Sequence, residues 1–139
     1  GLTMPELGRI LTALGVPCAV RHSRGKEGAS GPHLSPDDEV AAAKDAMRQL
    51  RHAMHAAPKS AVLLNYHMGV AGHRPFGGHF SPLVAYHEKS ERFLVLDYWP
   101  DTEPCWHSAA RLWSAIAGTD GESRLSRGWL VAGGGVGEK

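Results

Sequence analysis

The sequence predicts an α+β domain, and two observations carry that prediction. In the first part of the chain apolar residues recur at intervals of three and four, whereas beyond Pro58 they gather in short compact runs of strand character. One further helical face, Ser108 to Ala117, interrupts those runs. Helices first, then a mostly antiparallel sheet with one helix inserted, is an α+β order. A length of 139 residues suits a single domain with a modest core.

The first helix starts at a capping box, with Thr3 as N-cap and Glu6 reaching back, and with Leu2 and Leu7 placed to staple the entry. Leu7, Ile10, Leu11 and Leu14 form its apolar stripe, and Gly15 follows where a left-handed cap is needed. Val16 to His22 reads as a strand, and Ser23 to Ser35, rich in Gly, Ser and Pro, as an exposed and mobile loop. Pro36 at the first helical position, followed by Asp37, Asp38 and Glu39, opens a second helix with the stripe Val40, Ala43, Met47, Leu50 and Met54. Pro58 closes it. The expected strands are then Ala61 to Tyr66, Leu83 to His87, Phe93 to Asp97 and Gly128 to Ala132. The domain is expected to span residues 1–132, with the Gly-rich 133–139 as a frayed tail.

Lys and Arg total 15 against 14 for Asp and Glu, so no charge field invites nucleic acid. Apolar runs such as Ala61 to Leu64 are far too short for a membrane span. Two cysteines, Cys18 and Cys105, make neither a disulfide framework nor a zinc or redox motif. The chain opens on Gly1 with no signal-peptide pattern, and the absence of an initial methionine suggests a fragment or a processed chain. Localisation is left open, with the cytoplasm the favoured side.

Chemistry concentrates between Asn65 and Asp97. His79 follows two glycines, which permit close backbone approach, and leads into a strand, a setting able to hold an imidazole rigidly at a cleft as a general base. Asp97 ends the run Phe93 to Leu96, and if the two runs pair as a hairpin its carboxylate returns towards His79 and orients it. On local sequence alone, such a histidine equally serves to satisfy a turn, and such an aspartate is commonly a cap. Neither cysteine is a comfortable nucleophile: Cys18 sits inside a strand as a packing residue, and Cys105 follows both His79 and Asp97. Papain-like cysteines precede their histidine by roughly 130 to 150 residues. Only 78 residues precede His79.

Gly78-His79-Phe80-Ser81-Pro82, Tyr86-His87, Leu94-Val95-Leu96-Asp97, Trp106, Leu112-Trp113 and Arg127-Gly128 together resemble the signature of phytochelatin synthases, in order and at nearly the family's spacing. The match is densest from Asn65 to Trp129, while Leu2 to Ala57 resembles the family in layout more than in identities. The resemblance implies a papain-like fold, of which this chain is the C-terminal portion, and a Cys-His-Asp triad with its histidine at His79 and its aspartate at Asp97. The cysteine is then expected before Gly1.

The resemblance further implies the reaction. A thiolate attacks glutathione, glycine leaves, and γ-glutamylcysteine remains as a thioester until water or a second glutathione takes it up. Transfer builds phytochelatins, peptides that bind cadmium, whereas short bacterial members, which this chain resembles more, tend towards hydrolysis. The implied partners are glutathione or related thiol peptides, with a homodimer as an assembly that family members can adopt. No cofactor is implied; activation by Cd or Zn would come through substrate thiolates. Met68 stands where plant members carry an arginine, and Asp97-Tyr98-Trp99-Pro100 replaces Asp-Val-Ala-Arg. Arg127 is the remaining candidate for gripping a substrate carboxylate, against the plainer reading of a solvated residue at a strand entrance. The histidines show no zinc-type spacing, and the pair His52 and His55 lacks a third ligand, so no metal site is expected. Two other readings stay open: a thiol-peptide-binding pseudoenzyme without a nucleophile, and a papain-like protease cutting ordinary peptides.

Overall fold

The computed structural model describes residues 1–25, 34–55, 59–73 and 77–134. The elements run α1 (Met4–Ala13), β1 (Cys18–His22), α2 (Pro36–His55), β2 (Ser60–His67), β3 (Gly78–His87), β4 (Arg92–Val95), β5 (Cys105–Ser108), α3 (Ala109–Ala117) and β6 (Gly128–Gly133). The strands form one sheet in the order β1-β6-β2-β3-β4-β5, with every neighbouring pair antiparallel. The fold is α+β, and it is papain-like, as the sequence predicts.

Local sequence rules account for the elements. The capping box at α1 is present, the Thr3 N–H donating to Glu6 at 2.8 Å and the Glu6 N–H to Thr3 Oγ1 at 3.3 Å. Gly15 takes a φ of +82° just beyond the Leu14 cap. Alternation along β6 sends Trp129 and Val131 to the face covered by α2 and α3, where they join Leu50, Leu64, Phe93, Leu112 and Ile116 in the core. Leu130 faces the other way, towards α1. There Gly8 lets the helix approach β1 and β6, because a Cβ at that position would stand 2.8 Å from Val20 and 3.9 Å from Leu130.

Several expectations are corrected. The first strand begins at Cys18, two residues later than expected, because the Val16 N–H is still tied to the end of α1, donating to the Leu11 carbonyl at 2.9 Å, and Pro17 has no N–H for the ladder. The Pro17 carbonyl does accept from the Gly133 N–H of neighbouring β6 at 2.9 Å. β6 accordingly runs one residue past Ala132. The loop after β1 is not free at its start. Ser23 is buried and donates to the Ile116 carbonyl at 2.7 Å, while Arg24 donates to the Ala117 carbonyl and grips Glu39 of α2 with two nitrogens at 2.7 and 2.6 Å. This places the loop's first residues across the C-terminus of α3, where orphan carbonyls need donors, and against the first turn of α2. Residues 26–33 of that loop, Pro58 and the end of the expected tail fall outside the described residues.

β3 is longer than expected, starting at Gly78 rather than Leu83, so His79 lies within a strand. The fifth strand, Cys105–Ser108, escaped the sequence reading because four residues after a proline and running straight into a helix carry too little alternation to register.

Candidate active site

The central hairpin places the site. On β3 the residues His79, Ser81 and Leu83 are buried, and on β4 so are Phe93 and Val95. Leu83 pairs with Val95, and the Leu96 N–H donates to the Pro82 carbonyl at 2.9 Å, so the ladder continues one step past β4. Asp97 therefore drops onto the buried face beside Ser81 and diagonal to His79, near enough for the side chains to meet. A bulge between Leu83 and Ala85 shifts the register beyond this point, so the alignment of the hairpin's site end is separate from that of its outer end.

His79 Nε2 lies 3.1 Å from Asp97 Oδ1. The Trp99 N–H donates to that same oxygen at 2.9 Å, while Oδ2 receives His73 Nδ1 at 2.8 Å and the Tyr66 hydroxyl at 3.1 Å. Burial raises the Asp97 pKa, but these donors, led by the Trp99 N–H, outweigh it and hold the carboxyl below its usual range. Asp97 is thus an ionised acceptor on both oxygens. The proton of His79 then resides on Nε2, leaving Nδ1 as the basic nitrogen. Burial pushes the Tyr66 hydroxyl up, out of the titratable range, so it acts only as a neutral hydrogen-bonding group shared with Ser81 at 3.1 Å. Tyr98 packs against the His79 ring at 4.8 Å between centroids, and Trp99 meets it edge-on at 5.6 Å.

His79 opens into a cleft of about 260 Å³ lined also by Asn65, Gly78, Asp120 and Arg127, with Gly1 and Leu2 at its rim. Arg127, immediately ahead of β6, is buried rather than solvated. Its guanidinium donates to Asn65 Oδ1 at 3.0 Å and stands 3.9 Å from Asp120. Burial lowers its pKa, partly offset by Asp120. Gly78 explains how the guanidinium fits: a Cβ there would overlap Arg127 Nη1, at 2.1 Å. The close approach is therefore made at Gly78 alone, by an arginine side chain beside the catalytic candidate, and a Cβ at Gly77 would meet nothing within 4 Å. A larger cavity of about 700 Å³ under α1 is lined by Cys18 and His22, but by neither His79 nor Asp97.

The sequence-derived candidates divide accordingly. His79, Asp97 and Arg127 converge. Cys18 lies half-buried in β1, and burial pushes its thiol up, consistent with a packing role. Met68 is fully buried in the core. His52 and His55 are exposed on α2, and among the described residues no third ligand joins them. The sequence reading passed over Tyr66, Ser81 and His107 as site residues, and weighed His73 only as one of the histidines flanking the site that showed no zinc-type spacing. Tyr66 carried a usable signal, since it extends the alternation of Val62 and Leu64 and sits directly opposite His79 in the β2–β3 register. His107 did not, being placed by β5.

The family model described as phytochelatin synthase matches residues 1–129. The chain belongs to the phytochelatin synthase family. No curated protein matches it closely enough to add a relative. Family membership supports a function of the γ-glutamylcysteine transferase type, carried out on glutathione-related thiol peptides. The matched stretch includes His79, Asp97 and Arg127 alike. No helix among the described residues is long and apolar enough to cross a membrane.

Proposed function

We propose that this chain supplies the acid/base half of a thiol acyl-transfer site that cleaves glutathione into glycine and an enzyme-bound γ-glutamylcysteine thioester. The observation that carries the reading is the buried contact of His79 Nε2 with Asp97 Oδ1, which leaves His79 Nδ1 unprotonated towards the cleft. Nδ1 takes the proton of an attacking cysteine thiol, and the thiolate bonds to the carbonyl carbon of the cysteinyl residue of glutathione. When the C–N bond to glycine breaks, the proton on Nδ1 passes to the departing amine. Asp97 keeps the imidazolium charge compensated throughout and stays ionised. Arg127 offers the substrate carboxylate a guanidinium face not taken up by Asn65.

The nucleophile in this reading is a cysteine contributed by residues ahead of Gly1. Cys18 lines the cavity under α1, and Cys105 lies with His73 and His107. Residues joined ahead of Gly1 would enter at the rim of the His79 cleft. The deciding experiment incubates the intact protein with glutathione and follows free glycine. Glycine release that disappears in His79→Ala supports the proposal. Absence of release together with cleavage of long peptides would assign a protease, and binding of glutathione without any cleavage would assign a pseudoenzyme. Water and a second thiol peptide compete for the same thioester, so hydrolysis and transfer are read from the product: γ-glutamylcysteine or a longer (γ-Glu-Cys) oligomer.

A further inference from the structure

A second cluster of reactive side chains lies behind Asp97. His73, in the turn after β2, contacts Asp97 through Nδ1 and places its Nε2 3.0 Å from His107 Nε2. The two rings lie 5.1 Å apart between centroids and only 22° from parallel. Cys105 and His107 alternate on β5, so their side chains leave the same face of the strand. One ligand atom from each of His73, Cys105 and His107 falls within 4.8 Å of the other two.

We propose that His73, Cys105 and His107 form a binding site for a single Zn²⁺-type cation. One thiolate and two imidazoles are a donor set for a borderline-soft divalent metal and not for Mg²⁺ or Ca²⁺, which take oxygen. Zinc bonds to sulfur at about 2.3 Å and to imidazole nitrogen at about 2.0 Å in tetrahedral geometry. Ligand atoms then stand about 3.3 to 3.6 Å apart, so modest side-chain rotation closes the observed cluster around the ion. Three protein ligands leave a fourth position for water or an incoming thiolate.

The surroundings supply what a histidine ligand requires. Asp97 Oδ2 accepts from His73 Nδ1, which fixes the tautomer and turns the Nε2 lone pair towards the cluster, as an outer carboxylate does for metal-bound imidazoles. In the absence of an ion, His107 Nε2 donates a hydrogen to that lone pair. Binding moves this proton to His107 Nδ1, freeing its Nε2, while Cys105 forms the sulfur–metal bond and releases its proton to solvent. Cys105 is half-buried on the outermost strand, so the ion can enter without opening the core. The occupied site would share one carboxylate with the catalytic histidine, Oδ2 holding His73 and Oδ1 holding His79. The inference stands on this geometry alone and does not depend on the proposed reaction.

The test uses the full chain, reduced and metal-free, titrated with Zn²⁺ alone and then with Co²⁺ alone. The expected results are one equivalent of Zn²⁺ bound and, with Co²⁺, a thiolate-to-cobalt charge-transfer band. Cys105→Ser should keep the far-UV circular dichroism spectrum, abolish the band and weaken Zn²⁺ binding at least 100-fold. His107→Gln should weaken binding tenfold or more, while Cys18→Ser should change neither readout. A native chain with no thiolate band overturns the site regardless of how any variant folds. So does a band that survives Cys105→Ser or vanishes in Cys18→Ser.

Discussion

His79 and Asp97, eighteen residues apart in the chain, meet at 3.1 Å because the hairpin of β3 and β4 brings one back alongside the other. The contact is buried, and the carboxylate's other oxygen is occupied by different donors. Replacing Asp97 by Asn keeps the shape but permits the amide to present N–H to the histidine, stabilising the wrong tautomer. Glycine release from glutathione by Asp97→Asn should fall by about 10³- to 10⁴-fold in kcat, with KM changed little. A loss smaller than tenfold would remove Asp97 from the mechanism.

Tyr66 tests how far the carboxylate depends on its neutral donor. Its hydroxyl is buried between Asp97 and Ser81. Tyr66→Phe deletes one hydrogen bond to a charged, buried acceptor and should cost about 1.5–3 kcal/mol in urea unfolding. Ser81→Ala leaves the Tyr66–Asp97 bond in place and should cost clearly less. Equal losses would mean that the network is held by packing instead.

Gly78 and Arg127 form a pair by close approach. Gly78→Ala puts a methyl where the guanidinium lies, and the long side chain gives way before the backbone does. Unfolding should be easier by about 1–3 kcal/mol, and KM for glutathione should rise at least tenfold. Arg127→Lys should raise KM similarly, since an ammonium cannot reproduce the planar fork. The combined variant should be no worse in KM than either alone, because both remove the same guanidinium position. Additive KM effects would show that Arg127 does not bind substrate through that position.

Stability should carry an acid limb from Glu39. Arg24, burial and Trp113 Nε1 act on this carboxylate in that order, and the two hydrogen-bonding partners depress its pKa against the rise from burial. A depressed carboxylate stabilises the fold above its unfolded pKa of about 4.3 and loses that contribution as pH falls through the folded value. The side chains of the pair retain 25% and 36% exposure, so solvent screening limits the contribution to about 1 kcal/mol. Glu39→Gln should therefore unfold at lower urea than the parent at pH 7, and the gap between the two midpoints should narrow as pH falls below about 4.3. A gap that stays constant down to acid unfolding would trace the loss to packing.

Local rules made much of the molecule legible in advance. The capping box at Thr3, the proline and acidic turn opening α2, and the glycine after α1 act within a few residues, so their sequence patterns carry their outcomes. Compact apolar runs of strand character revealed β2, β4 and β6 and the outer half of β3, because each packs against a common core. The motif around His79 and Asp97 likewise indicated the family before any geometry.

What tertiary structure decided involves residues whose meaning depends on register and approach. β5 is too short to show its alternation, and only its pairing with β4 brings Cys105 and His107 to His73, more than thirty positions away. Arg127 read both as a candidate grip for a substrate carboxylate and as a solvated residue at a strand entrance until the strand order set it beside Gly78. His79 and Asp97 were individually visible, but the division of Asp97 between two histidines was not. Hydrogen bonds are directional over about 3 Å, whereas sequence patterning reports only which face of an element is buried.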